Sequence, residues 1–113
     1  MRRFARRLAA ILMIWPGLVV AEDWQRLDGD AIGLALTAGH LTYANGAWQE
    51  FRPSGRTLYN AGEDSWGYWR VVGDQYCSQW PPSNLWACYD IEMAGKSLRF
   101  VGASGDITQA VFP

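Results

Sequence analysis

Residues 76–89 read YCSQWPPSNLWACY, a nearly palindromic stretch that contains both cysteines of the 113-residue chain. Its centre, residues 81–84 (PPSN), is typical of a tight connection between two strands. If those four residues form the loop, pairing outward places Cys77 directly opposite Cys88. Cβ atoms of opposed residues lie about 4.5–5.5 Å apart, which is close to disulfide geometry. The stretch therefore predicts a β-hairpin closed by a Cys77–Cys88 disulfide.

Two other uses of the cysteines fit the sequence less well. A thiol–disulfide catalyst favours closely spaced cysteines at a helix N-terminus, whereas ten residues separate Cys77 from Cys88. A zinc site needs three or four Cys, His or carboxylate ligands, and His40 is the only histidine. We therefore expect a structural disulfide, worth about 3 kcal/mol under the chain-entropy model, and no metal or cofactor.

The first 21 residues have the pattern of a secretory signal peptide. The basic start MRRFARR precedes an apolar run from Leu8 to Ala21, and the chain turns polar at Glu22. The run is shorter than the roughly 20 apolar residues of a membrane-spanning helix, although an uncleaved anchor is the alternative. We expect cleavage before Glu22, a periplasmic or secreted location, and a mature chain, residues 22–113, that does not insert into the membrane.

Charge and length limit the partners of the mature chain. Without its leader the chain keeps six basic residues against eleven acidic ones, a net charge of −5 instead of −1. A nucleic acid or an anionic lipid surface needs a basic face, so neither partner is expected. The remaining 92 residues suit one small domain, and two cysteines in such an exported domain are most simply a disulfide. The oligomeric state stays open.

Turn signals such as Asn45-Gly46 and Gly73-Asp74 divide the mature chain into eight short segments rich in aromatic and apolar residues. The predicted strands are Leu41–Ala44, Ala47–Arg52, Thr57–Tyr59, Trp66–Val72, Gln75–Trp80, Leu85–Met93, Ser97–Gly102 and Ile107–Phe112. Eight consecutive antiparallel strands predict a small all-β, up-and-down barrel, with a sandwich as the alternative. Such a barrel is filled by its own side chains or holds a small ligand, so we expect no roomy cavity.

A short helix is predicted before the first strand. Asp30 is the predicted N-cap and Gly39 the predicted stop. Between them Ile32, Leu34, Ala35 and Leu36 supply apolar side chains for one face.

Alternation along the strands sorts side chains between the two faces of the barrel. The predicted inner face contains Leu85, Ala87, Tyr89, Ile91 and Met93, together with Tyr76, Ser78, Trp80, Trp69 and Val71. The disulfide then lies on the outer face beside Tyr68, Arg70 and Trp86. Exposed aromatic side chains are unusual on a small soluble domain, so these three residues are candidates for binding a protein partner in the cell envelope. The alternative is that the N-terminal segment, including Trp24, covers them.

Four quoted segments carry a resemblance to known proteins: GDAIGLALTAGHLTY, NGAWQEFRPSGRTLY, WGYWRVVGDQYCSQWPP and ACYDIE. They resemble a group of small exported proteins of Gram-negative bacteria that share a short helix, a Gly-Arg-Thr hairpin, a Gly-x-Trp strand and paired cysteines. The resemblance implies a secreted β-domain without an assigned activity.

The turn Ser54-Gly55-Arg56 carries a second resemblance. It is similar to the Ser-Gly-x-x-Tyr motif that periplasmic inhibitors of c-type lysozyme present to the enzyme, with one additional residue before Tyr59. The resemblance implies that Arg56 pairs with acidic groups in an enzyme cleft. Plain hairpin chemistry explains the same Pro-Ser-Gly turn.

The chain has no recognisable catalytic set, because its acids are scattered and His40 is the only candidate to activate a serine. We therefore expect a non-enzymatic binding or structural module of the cell envelope. The alternative is an inhibitor of a cell-wall hydrolase that acts through Ser54, Gly55 and Arg56.

Overall fold

The computed structural model describes residues 23–113, so the predicted leader and its cleavage site lie outside the described residues. Nine strands and one helix occur in this range. The helix α1 spans Gly29–Thr37, and the strands are β1 Gln25–Arg26, β2 Leu41–Tyr43, β3 Trp48–Phe51, β4 Arg56–Asn60, β5 Asp64–Val72, β6 Gln75–Gln79, β7 Ala87–Ala94, β8 Ser97–Val101 and β9 Ile107–Val111.

Strands β2 to β9 form a closed barrel. Each pairs with the next along the chain, every pairing is antiparallel, and β9 returns to pair with β2. The two-residue strand β1 adds to β7 through the pairs Gln25–Met93 and Arg26–Glu92. The fold confirms the predicted eight-stranded up-and-down barrel with a short preceding helix. Closure leaves none of these eight strands with a free edge, which removes the sandwich alternative.

The cysteine hairpin has the predicted register over the part that pairs. Cys77 lies opposite Cys88, with Tyr76 opposite Tyr89 and Ser78 opposite Ala87. The Cys77–Cys88 disulfide is formed across a Cα–Cα distance of 4.0 Å. The prediction of the disulfide is confirmed.

The connection between the two paired cysteine strands is longer than the predicted four residues. Strand β6 ends at Gln79 and β7 begins at Ala87, so residues 80–86 form the loop, with a cis bond between Pro81 and Pro82. Leu85 lies in this loop and is 76% exposed, so its predicted inward orientation is wrong. Ala87 is paired with Ser78 at the start of β7 and is exposed at the open end. Alternation holds only where the backbone is paired, and it was extended too far into the loop.

The helix begins two residues earlier than predicted. Asp28, not Asp30, is the N-cap, and its carboxylate accepts a hydrogen bond from the backbone N–H of Ala31 at 2.9 Å. Asp30 instead lies in the first turn, where its negative charge is favourable to the helix dipole. At the other end the cap is Ala38, one residue before the predicted stop at Gly39.

Helix α1 closes one end of the barrel. Its buried residues Ile32 and Leu36 join Phe51, Trp69 and Ile91 in the main core cluster. The backbone N–H of Gly29 donates to the Asp74 carboxylate in the β5–β6 turn at 2.8 Å, which fixes the start of the helix against the barrel. We call this side, with the turns at residues 52–55, 73–74 and 95–96, the closed end.

The opposite end, with the loops at residues 44–47, 61–63, 80–86 and 102–106, is the open end. Among residues 23–113, no helix combines the length and the apolar character that crossing a membrane requires.

Candidate functional site

A cavity of about 680 Å³ opens at the open end of the barrel. This volume lies within the range of roughly 300–1,000 Å³ that is usual for small-molecule sites. Its wall consists of aromatic side chains, neutral polar side chains, one alanine and one acid: Tyr43, Ala44, Asn45, Gln49, Tyr59, Ser65, Tyr76, Ser78, Trp80, Tyr89, Phe100, Asp106, Thr108 and Gln109. The prediction from the sequence that the barrel holds no roomy cavity is therefore wrong.

The aromatic rings of the cavity contact one another from strand to strand. Tyr59 on β4 meets Tyr43 on β2 with ring centroids 5.8 Å apart, and meets Trp80 at 6.3 Å. Phe100 on β8 continues the series, 6.5 Å from Tyr43 and 6.2 Å from Tyr89. Edge-to-face and offset contacts at such distances stabilise aromatic pairs. The cavity therefore has a mutually braced aromatic wall.

Gly67 on β5 allows Trp80 to lie flat on the inner wall. A Cβ atom at position 67 would stand 2.6 Å from the Trp80 ring, closer than van der Waals contact permits. A glycine inside a strand often marks such a close approach of another group. The indole N–H of Trp80 donates to the Ser78 hydroxyl at 3.3 Å, which orients the ring. Gly67 and Ser78 together determine the position of Trp80 in the wall.

A buried hydrogen-bond chain supports the cavity beside β2 to β4. The Tyr43 hydroxyl donates to Gln49 Oε1 at 2.6 Å, and Gln49 Nε2 donates to the Thr57 hydroxyl at 2.9 Å. The Thr57 hydroxyl in turn donates to the Glu50 carbonyl at 2.8 Å. Because Gln49 and Thr57 are buried, an unpaired group here would carry a desolvation cost. The chain fixes the Tyr43 ring at the cavity wall.

The cavity is nearly free of charge at neutral pH. Burial, followed by the neighbouring phenols of Tyr76 and Tyr59, raises the pKa of Tyr43, and burial raises the pKa of Tyr76 to about 12. Both phenols are therefore neutral. Asp106 is the one acid in the described lining, and its carboxylate accepts a hydrogen bond from Ser104 in the β8–β9 turn at 2.8 Å. No lysine or arginine is among the described residues of the wall.

The predicted partner-binding residues lie on the outer face, away from the cavity. Arg56 pairs in register with Tyr68, and Arg70 pairs with Cys77. The Arg56 guanidinium lies 4.6 Å from the centroid of Trp66 and 5.6 Å from that of Tyr68. The Arg70 guanidinium lies 3.9 Å from the Trp86 ring centroid. The structure thus brings Tyr68, Arg70, Trp86 and Arg56 onto one surface. Together with Trp66 and Arg52, whose guanidinium lies 4.8 Å from the Trp66 ring centroid, they form what we call the arginine–aromatic face.

The Ser54-Gly55 turn lies at the closed end, next to this face. Gly55 has a φ angle of +92°, a conformation that favours glycine. Its backbone N–H donates to the Arg52 carbonyl at 2.9 Å, and its own carbonyl accepts from the Trp69 N–H at 2.9 Å. The Arg56 guanidinium lies against the barrel instead of projecting beyond the turn.

The N-terminal segment does not cover the arginine–aromatic face with Trp24. The Trp24 ring lies 4.2 Å from the guanidinium of Arg99 on β8. Tyr68 is 43% exposed and Trp66 is 38% exposed, which fits an accessible surface. Whether this surface binds a partner stays a prediction.

The described acidic, histidine and cysteine side chains do not converge on a metal site. Within residues 23–113, no group of three or more His, Cys, Asp or Glu side chains is arranged to hold a metal ion. His40 stacks on Trp48, with ring centroids 4.9 Å apart, and its Nε2 lies 3.4 Å from a Glu50 oxygen on the outside of the barrel. His40 is therefore engaged with Trp48 and Glu50, whereas Ser65 and Ser78 line the cavity.

Sequence reasoning placed Trp80, Tyr76, Ser78 and Tyr89 inside the barrel but did not identify a site there. The overlooked feature is Gly67, because a glycine inside a strand often marks the close approach of another group. Comparisons of this chain with protein-family models, with curated proteins and with solved structures found no match. The function of the protein is therefore inferred from the geometry of the site.

Proposed function

We propose that the protein is an exported, non-enzymatic binding module that takes a small uncharged ligand into the cavity at the open end. The observation that carries this proposal is the cavity of about 680 Å³ with a braced aromatic wall. A barrel filled only by its own side chains would need no such space.

The composition of the wall selects the ligand class. Aromatic faces such as those of Trp80 and Tyr59 favour a ligand with a flat or apolar face. Neutral polar side chains at the rim, including Ser65 and Thr108, supply hydrogen bonds that orient it. A carboxylate or phosphate ligand would be desolvated without a cation to pair with it, which costs free energy. We therefore expect neutral ligands to bind in preference to anionic ones.

A panel of soluble ligands tests this proposal. Tryptophan fluorescence and thermal shift are measured with monosaccharides, disaccharides, nucleosides and aromatic alcohols, each beside an anionic analogue such as the uronate or the nucleotide. We expect at least one neutral compound to bind and its anionic analogue to bind at least about tenfold more weakly. Equal binding of both forms, or no binding by any compound, would contradict the proposal.

Two variants locate the binding event. Ser65→Trp places a large ring in the cavity, since Ser65 lines its wall, and should abolish ligand binding. Thr42→Trp, on the exposed outer side of β2, is the matched control and should leave binding unchanged. Loss of binding in both variants would point to a general effect on the fold.

Export is a separate part of the proposal and has its own test. The basic and apolar pattern of residues 1–21 and the Cys77–Cys88 disulfide support it. The intact mass of the protein recovered from periplasm or medium should correspond to a chain that begins at Glu22 or within a few residues of it. A folded product that retains Met1 would contradict export by a cleaved leader.

Inhibition of c-type lysozyme stays the second prediction from the sequence. Purified protein is added to lysozyme and a cell-wall suspension, and turbidity is followed. An inhibitor that acts through the Ser54-Gly55-Arg56 turn should lose its effect in Arg56→Ala and keep it in Ser65→Trp. No inhibition at about micromolar protein, where specific protein complexes normally form, would remove this alternative.

A further inference from the structure

The arginine–aromatic face contains basic side chains, which the described wall of the cavity does not. Its members are Arg52, Arg56, Trp66, Tyr68, Arg70 and Trp86, and the guanidinium groups of its three arginines all lie over aromatic rings. Three of the six basic side chains in residues 23–113 are thus gathered on one side of a barrel that is acidic as a whole.

Two of these arginines have no acidic neighbour to neutralise them. Arg52 pairs with Glu50 at 2.6 Å. By contrast, within residues 23–113 no carboxylate lies within ion-pair distance of Arg56 or Arg70. Asp64 lies on the same face, at the open end of β5. Its carboxylate accepts a hydrogen bond from the Asn60 side-chain amide at 2.8 Å. Both unneutralised guanidiniums therefore keep their N–H edges available for an external anion.

The strand register places the backbones of Arg56 and Arg70 near each other on the outer face. Arg56 is directly opposite Tyr68, so Arg70 is its diagonal neighbour on the same face. Diagonal neighbours in an antiparallel pair have Cα atoms about 7–8 Å apart. Stacking on an aromatic ring limits the motion of each guanidinium, which lowers the entropy lost when it binds an anion. The face thus presents two ring-stacked guanidiniums on strand positions next to the exposed Tyr68.

We propose that this face binds a carboxylate-bearing saccharide chain. Each guanidinium would form a bidentate pair with a sugar carboxylate, and the exposed Tyr68 ring would contact the apolar face of a sugar ring. Two anion sites on an acidic protein fit a chain of modest charge density better than a nucleic acid, whose phosphate density favours an extended basic surface.

The test uses protein expressed from the full-length coding sequence and purified from the export fraction. Binding of trigalacturonate is measured by calorimetry, with uncharged maltotriose and a single-stranded DNA oligonucleotide as the comparison ligands. We expect trigalacturonate to bind with a Kd below about 1 mM, and maltotriose and the oligonucleotide to bind at least about tenfold more weakly.

Matched variants distinguish this surface from general charge effects. Arg56→Gln and Arg70→Gln should each weaken trigalacturonate binding about tenfold or more, and Arg56→Lys should not restore it, because lysine lacks the planar fork. Arg99→Gln is the control, since Arg99 also stacks on a tryptophan but is paired with Glu92 at 2.6 Å. That variant should bind as the wild type does.

Several outcomes would overturn the proposal: no trigalacturonate binding, equal binding of maltotriose, equal loss in Arg99→Gln, or preference for the oligonucleotide. Ser65→Trp should leave trigalacturonate binding intact, so failure of this inference and failure of the cavity proposal are distinguishable. Melting temperatures measured on every variant identify any that fail to fold.

Discussion

The two ends of the barrel are built from the same strands but in opposite ways. At the closed end, Ile32 and Leu36 of α1 fill the interior and are fully buried. At the open end no element covers the described strands, and Trp80 and Tyr59 lie along the wall around a cavity. The difference indicates that stability is concentrated at one end, which leaves the other end available for binding.

The largest effect is expected at the closed end. Leu36→Ala removes a fully buried side chain from the core, and we expect the free energy of unfolding to fall by about 2–5 kcal/mol. Leu34→Ala is the matched control on the same helix, because Leu34 is 76% exposed, and should change it by less than about 0.5 kcal/mol. Urea unfolding measures both. Similar losses of unfolding free energy in the two variants would show that α1 does not close this end of the barrel.

The disulfide should have the next largest effect, because it joins the two strands that carry the longest open-end loop. The double substitution Cys77→Ser with Cys88→Ser releases a ring of 12 residues, and should lower the free energy of unfolding by about 3 kcal/mol. Thermal unfolding with and without reductant provides a second measurement. Unchanged stability after reduction would argue against a structural role for the bridge.

Alkaline pH should destabilise the fold through the buried phenol of Tyr76. Its pKa is raised from 10.0 to about 12 in the folded protein, so the stabilisation of the neutral form is complete below pH 10 and is lost as pH rises through 12. Unfolding should become easier by on the order of 2 kcal/mol across this window. Tyr76→Phe should have a shallower pH dependence. Equal slopes for the variant and the wild type would contradict the assignment.

The smallest effect is expected at the rim of the cavity. Thr108 lines the cavity and is exposed, so Thr108→Ala should change the free energy of unfolding by less than about 0.5 kcal/mol. The same variant should weaken the binding of any cavity ligand that accepts a hydrogen bond there. A large loss of stability would mean that the rim is a structural element of the barrel.

Most of the barrel could be predicted from the sequence because the signals for its strands and turns lie in short stretches of the chain. Turn residues delimit the strands, and alternation with the Cys77–Cys88 pairing fixes the hairpin register. The N-cap was misplaced because Asp28 and Asp30 both satisfy the capping pattern, and only the geometry of the first turn distinguishes them. Leu85 was misplaced because alternation does not report where pairing ends.

The cavity could not be predicted in the same way. Whether an inward ring crosses the barrel or lies along its wall depends on neighbours from other strands, as with Trp80 on Gly67. Arg56 and Tyr68 were both identified from the sequence, but as members of two separate sites. Their contact is a consequence of pairing between β4 and β5, which no single segment reveals.

Amide chemical-shift mapping by NMR tests the central claim most directly, that the open end is a ligand site and the closed end is not. The labelled protein is titrated with the neutral compound that binds best in the panel. We expect shifts concentrated at Tyr43, Ser65 and Ser78, none at Ile32 or Leu36, and their loss in Ser65→Trp. Shifts confined to the closed end or to the outer face, or the same shifts in Ser65→Trp, would contradict a binding site in the cavity.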